Sequence, residues 1–280
     1  MSPGLPQLPY YIIDHVLSTA GGTGIVYWGI DKHTGYPVAI KELYEANSQN
    51  AHIVESFRQE ANSYAYLEHP NITKLVDFVV WQGHCFLVME YLEGETLDHM
   101  ISKRMGLLPE EKVVPLFMEI LHTIDYIHHA QTPIYPNGAL HLDIKPSNVM
   151  VMRHGGIKIM DMGISAKIND INPYKHICGT PSFMPPEQFQ RGVIGTYTDI
   201  FALGVTLYYM LTAHLPFVGN NRFEIWHNIL AQNFLPPQVY YPFMNKGWEY
   251  IIKKATEPNP NLRYQNCREL EKAICQLNIH

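Results

Sequence analysis

The sequence predicts an α+β fold in which a strand-rich N-terminal part carrying one helix precedes a mainly helical C-terminal part. Three observations carry this prediction. From Tyr10 to about Tyr44, β-branched and aromatic runs alternate with glycine-containing turns. From Ser48 to Leu67, the apolar residues Ile53, Phe57, Tyr64 and Leu67 recur on one helical stripe. Beyond Thr96 helical spacing dominates, as in Val113, Phe117, Ile120, Ile124 and Ile127.

Composition narrows the class. The 280 residues exceed the usual size of one domain and suit two lobes, and the 46% apolar content is enough for a full core. A net charge of −6 disfavours nucleic acid and anionic membranes as partners. Cys85, Cys178, Cys267 and Cys275 are widely spaced with no C-x-x-C, which fits a reducing compartment and leads us to expect a cytoplasmic location. Met1 to Pro9 has no basic or apolar region of a secretory signal. The longest apolar stretch, about Ile200 to Leu211, is shorter than the ~20 residues of a membrane span and reads as a buried core helix. The fifteen histidines fall in no metal-binding spacing.

Each element has its own reason. Ile25-Val26-Tyr27-Trp28 is a strand, Asp31 to Gly35 a turn, and Tyr36 to Lys41 the next strand. Before them Thr19-Ala20-Gly21-Gly22-Thr23-Gly24 offers backbone that can approach an anion closely. The cluster runs into a strand rather than a helix and lacks Gly-Lys-Ser/Thr, so it is neither a dinucleotide fingerprint nor a P-loop. By itself it is equally a hairpin turn. Lys41 ends an apolar strand, and Glu60 shares the apolar stripe of the following helix. A carboxylate on a buried face needs a partner, and Lys41 is the obvious one. Strands at Leu75 to Val80 and Phe86 to Tyr91 flank a turn at Gly83, and Leu92 to Thr96 reads as a connector. Pro109-Glu110-Glu111 starts a helix that runs through His128, with Pro115 inside its first turns as a source of a kink. The link from Gln131 to Gly138 is long.

The stretch from Ala139 to Val151 places Asp143, Lys145 and Asn148 in a loop bounded by apolar, β-prone ends, with Pro146 breaking any helix. It resembles the catalytic loop of protein kinases, H-R-D-x-K-P-x-N, with Leu142 in place of the arginine. Other segments are similar to the family in the same order and spacing. Gly21, Gly22, Gly24 and Val26 resemble the glycine-rich loop, with Thr19 for its first glycine. Val38-Ala39-Ile40-Lys41, ending 17 positions after Gly24, resembles V-A-I-K. Asp161-Met162-Gly163, 18 residues after Asp143, resembles D-F-G. Gly179 to Glu187, Asp199 to Gly204 and Asn259 to Tyr264 resemble the later kinase segments, with Pro185 for an alanine. The resemblance is to eukaryotic-like Ser/Thr protein kinases, in a form similar to bacterial members.

This resemblance implies a bilobal kinase domain over residues 10–280, with an N-lobe at 10–91, a hinge at 92–96 and a C-lobe at 97–280, and ATP between the lobes. It implies Asp143 as catalytic base, Lys145 as the charge on the transferring phosphoryl group, and Glu60 orienting Lys41 toward the phosphates. Thr19, Gly21, Gly22, Gly24, Val26, Ala39 and Lys41 would contact ATP, with Met89 guarding the purine and the Glu90 carbonyl and Leu92 amide bonding its edge. Asn148 and Asp161 would hold Mg²⁺. Asp199 would brace the catalytic loop, and Arg263 would pair with Glu187. The implied activity is phosphorylation of Ser/Thr in protein substrates, with autophosphorylation. An arginine at position 142 would bind an activation-segment phosphate, so Leu142 implies activation by another route, with Ser165, Tyr174, Thr180 and Ser182 as the segment's hydroxyls. Met162 is expected to pack between His141 and Tyr64. The departures at Thr19, Leu142, Met162 and Pro185 would support a nucleotide-binding pseudokinase scaffold as the alternative. A small-molecule kinase is disfavoured by the Gly179 to Glu187 segment, which shapes a peptide groove.

Overall fold

The computed structural model describes residues 5–19, 24–44, 51–103, 108–162, 166–168, 180–190 and 192–277. The chain divides into two compact units, Met1–Glu93 and Gly94–His280.

The first unit is built on an antiparallel sheet of β1 (Tyr11–Ser18), β2 (Gly24–Asp31), β3 (Pro37–Leu43), β4 (Leu75–Trp81) and β5 (His84–Glu90), in the order β1-β2-β3-β5-β4. Strand alternation sorts its side chains. Val38 and Ile40 face a core shared with Leu8, Tyr11, Tyr27, Phe86 and Val88. Ala39 and Lys41 therefore face the other side, in register with Trp28 and Val26 on β2 and with Met89 and Leu87 on β5. Helix α1 (Ala51–Tyr66) buries Phe57, Glu60, Ala61, Ser63 and Tyr64, the stripe on which the carboxylate was expected.

In the second unit the connector expected at Leu92 to Thr96 ends in a strand. Gly94–Thr96 forms β6, which pairs with β8 (Val149–Met152), itself paired with β9 (Ile157–Ile159). The sequence reading missed this because three residues are too few for a periodic pattern; the pairing exists only where β8 offers a free edge. Helices α2 (Leu97–Lys103), α3 (Glu110–His129), α4 (Pro186–Phe189), α5 (Thr196–Thr212), α6 (Arg222–Leu230), α7 (Gly247–Ala255) and α8 (Cys267–Cys275) make up most of the remainder. Helix α3 continues through Pro115, whose missing amide proton removes a single turn's hydrogen bond. At its N-terminus, Glu110 accepts hydrogen bonds from the Asn245 amide (3.0 Å) and the Trp248 indole (2.7 Å), tying α3 to α7. Helix α5 is buried along nearly its whole length and packs on α3, α7 and α8, as the apolar run Ile200 to Leu211 requires.

Candidate active site

In the first unit Lys41 Nζ lies 2.8 and 3.0 Å from the two Glu60 carboxylate oxygens, with the Lys41 and Glu60 side chains 12% and 4% exposed. Two elements set this pair. The register of β3 turns Lys41 away from the apolar core, and the helical stripe of α1 turns Glu60 inward. Val26, Ala39 and Met89 share the Lys41 face of the sheet. Glu90 ends β5, with its amide bonded to the Lys74 carbonyl at 3.0 Å, and Leu92 follows two residues later. Thr19 is exposed just after β1, and its carbonyl accepts the Tyr44 hydroxyl at 3.0 Å. Gly24 opens β2 opposite Leu43. Gly21 and Gly22 lie outside the described residues.

In the second unit the loop after β7 (Ala139–Leu140) is held from below by α5. Asp199, near the start of α5, accepts the His141 amide on Oδ2 and the Leu142 amide on Oδ1, both at 2.8 Å. Leu142 adopts φ 65°, a left-handed conformation that turns both amides toward one carboxylate. His128 at the end of α3 completes the brace, its Nε2 2.8 Å from Asp199 Oδ2. Burial alone would push the Asp199 carboxyl up, but the hydrogen bond and charge interaction with His128, together with His141, hold it below its ordinary value. Cys267 Sγ lies 3.8 Å from His128 Nδ1, and burial pushes its thiol well up, so it remains protonated. The His128 partner had no signal in the sequence: at the end of an apolar helical face it reads as a core or surface histidine.

Above the brace the functional side chains converge. The His141 Nδ1 accepts the Asp143 amide at 3.2 Å. Asp143 Oδ2 receives Lys145 Nζ at 2.8 Å and Asn148 Nδ2 at 2.9 Å, and the same Asn148 nitrogen reaches the Asp143 carbonyl at 2.9 Å. Lys145 also donates to Thr180 Oγ1 at 3.0 Å. These bonds leave Asp143 Oδ1 available as an acceptor and commit the Asn148 amide nitrogen, so Asn148 Oδ1 is the atom it can offer to a cation. The β8–β9 register, Val149 opposite Ile159, continues with the Met160 amide on the Asn148 carbonyl at 2.8 Å. Asp161 follows immediately, with φ 60°, so Asp161 and Asn148 stand at the same end of the hairpin. Both residues carry side-chain oxygens of the hard kind that Mg²⁺ takes alongside phosphates, so they are the residues that could hold it. Met162 is buried; Gly163, Ser165, Tyr174 and Gly179 lie outside the described residues.

Leu142 itself is buried in an apolar cluster with Leu140, Ala166 and Ile194, against which Ile168 packs. Strand β10 (Ala166–Lys167) pairs with β7 beside it. The long Gln131 to Gly138 link folds into a compact turn around buried Tyr135, whose amide and carbonyl both bond Thr132. Further along, Arg263 Nη1 and Nη2 form a bidentate pair with Glu187 at 2.6 and 2.8 Å, in a buried setting.

A family model described as the protein kinase domain matches residues 19–280. A probable serine/threonine-protein kinase of Streptomyces coelicolor is 31% identical, over 91% of this chain and 38% of its own length. A serine/threonine-protein kinase of Bacillus subtilis is also 31% identical, over 92% of this chain and 39% of its own. A CBL-interacting serine/threonine-protein kinase of Arabidopsis thaliana is 29% identical, over 83% of this chain and 51% of its own. The chain thus spans from about two fifths to half the length of these relatives.

Proposed function

Since the chain belongs to the protein kinase domain family, we propose that it transfers the γ-phosphoryl group of ATP to Ser or Thr hydroxyls of protein substrates, itself included. The observation that carries this reading is the network on Asp143: Oδ2 is held by Lys145 and Asn148 while Oδ1 remains to accept a hydroxyl hydrogen. Asp143 orients the acceptor oxygen and takes its proton. Lys145, steered by Thr180, supplies positive charge where the transferring phosphoryl group carries its own. Lys41, fixed by Glu60, holds the α- and β-phosphates. Of the connector 92–96, Leu92 and Glu93 serve as the hinge, since Gly94–Thr96 pairs with β8 within the second unit. Asn148 Oδ1 and Asp161 would hold Mg²⁺, which when bound neutralises phosphate charge.

The link between Lys145 and Thr180 also supports Ser/Thr acceptors, because it follows the Ser/Thr-kinase form of both segments. None of the departures at Thr19, Leu142, Met162 and Pro185 removes a group assigned to phosphate, metal or hydroxyl, so a pseudokinase scaffold is not favoured. The apolar cluster around Leu142 supports activation without an arginine-bound phosphate: packing of Ala166 and Ile168 takes the place of a charge pair. Cys85, Cys267 and Cys275 are free thiols, which supports a reducing compartment, and on that ground we place this domain in the cytoplasm.

The test is phosphate transfer from labelled ATP with Mg²⁺ to a basic Ser/Thr acceptor protein. Asp143→Asn and Lys41→Met should each lower the rate by at least about 10²-fold, the scale of a general base or phosphate clamp. Wild-type protein that binds ATP yet transfers to no acceptor, water or itself would overturn the reading.

A further inference from the structure

The sheet face opposite Lys41 carries a second constellation that phosphoryl transfer does not use. Strand alternation places Glu42 on this face, next to Ile25 of β2 and Phe86 of β5. There the apolar core of the first unit opens into a cavity of about 580 Å³, within the range of small-molecule sites. Val16, Ile25, Trp81 and Phe86 form its apolar wall, and Leu5 of the N-terminal segment borders it.

Its polar end is built from three side chains. The Glu42 side chain is only 13% exposed, and Tyr27 donates its hydroxyl to Oε2 at 2.7 Å. Burial and the Glu42 carboxylate push the Tyr27 phenol far up, which keeps it a donor. His84 Nδ1 lies 2.9 Å from Oε1 but out of line for a hydrogen bond, and this buried nitrogen has no other hydrogen-bond partner. No lysine or arginine among the described residues lies within ion-pair distance of Glu42; its one ion-pair partner is His84. A carboxylate accepts about four hydrogen bonds, and Tyr27 uses one. A largely desolvated carboxylate with spare acceptors at the end of an aromatic cavity suits a cation carrying an apolar body.

We propose that this cavity binds a small organic amine, its ammonium on the Glu42 carboxylate and its aromatic or aliphatic body against Trp81, Phe86 and Val16. Its carboxylate lies on the sheet face opposite Lys41, because Glu42 and Lys41 are neighbours on a strand and face opposite ways, while Thr19 and Leu43 form part of its rim.

The test uses tryptamine and its neutral isostere tryptophol, titrated calorimetrically into the full chain. Tryptamine should bind at least about tenfold more tightly, the worth of one charge-assisted hydrogen bond. Glu42→Gln should erase that preference, Val16→Trp should weaken both ligands by filling the cavity, and Lys41→Met should change neither. Equal binding of the two ligands, no saturable binding, or an undiminished preference in Glu42→Gln overturns the proposal. Should Glu42→Gln fail to fold, Val16→Trp decides alone: Val16 is half exposed, so the larger side chain is tolerated, and retained tryptamine binding refutes the site.

Discussion

His128 Nε2 lies 2.8 Å from Asp199 Oδ2, with both side chains closed off from solvent, and the same carboxylate holds the His141 and Leu142 amides. One buried anion thus fixes the backbone on which Asp143 stands. Asp199→Asn keeps the shape but turns an acceptor into a donor facing an amide. Unfolding in urea should show a loss of roughly 2–4 kcal/mol, and phosphate transfer should fall with it. The pH dependence has a definite sign. The folded carboxyl sits below its ordinary value near 3.8, so its contribution is complete above that value and is lost as pH falls through the lower folded one. The stability gap between wild type and Asp199→Asn should therefore shrink as pH falls below about 4.

Arg263 spends all five donors in the interior: two on Glu187, and the rest on the carbonyls of Tyr197, Glu257 and Pro258, with its guanidinium 5.1 Å from the Phe201 ring centroid. Arg263→Met strands Glu187 and should cost about 3–5 kcal/mol. Adding Glu187→Leu should recover part of that loss, because the pair's desolvation disappears with it. A double-mutant cycle in urea measures this; a double variant less stable than both singles would contradict it.

Gly138 has φ 94°, and a Cβ there would stand 1.9 Å from the His128 carbonyl oxygen. Gly138→Ala combines backbone strain with a backbone clash next to the catalytic-loop brace. The expected loss is about 1–3 kcal/mol or more, read as a lowered Tm, with reduced phosphate transfer at temperatures where the fold persists.

Leu142 should behave as a core residue. Leu142→Ala is expected to cost about 2–5 kcal/mol, and Leu142→Met under about 1.5. Treating wild-type protein with a phosphatase should leave its transfer rate unchanged, because the segment packed on Leu142 needs no phosphate to hold it. A phosphatase-sensitive rate, restored by an acidic substitute at Ser165 or Tyr174, would refute this.

Local pattern made much of the fold legible. Strands β2 and β3 follow from β-branched runs bounded by turns, α1 and α3 from apolar spacing, and α5 from an unbroken apolar run that only a buried helix satisfies. The Lys41–Glu60 contact was legible too, since a carboxylate on an apolar stripe has few ways to be satisfied and a lysine ends the neighbouring strand. The order and spacing of Asp143, Lys145, Asn148 and Asp161 were readable through their resemblance to the protein-kinase segments.

What the sequence by itself determined, then, was which segments bury their faces and which polar residues stand in a chemical order. Tertiary structure alone decided who meets whom across long separations. His128 reaches Asp199 over 71 positions, and nothing in the residues around either one marks the other. Strand β6 exists only because β8 has an edge to pair with. Glu42, Tyr27 and His84 look like unrelated strand residues until sheet register brings them to one end of one cavity. The physical reason is the range of the forces. Periodicity and turn chemistry act over a few residues, whereas a buried polar atom takes its partner from whatever element packing places within 3 Å or so.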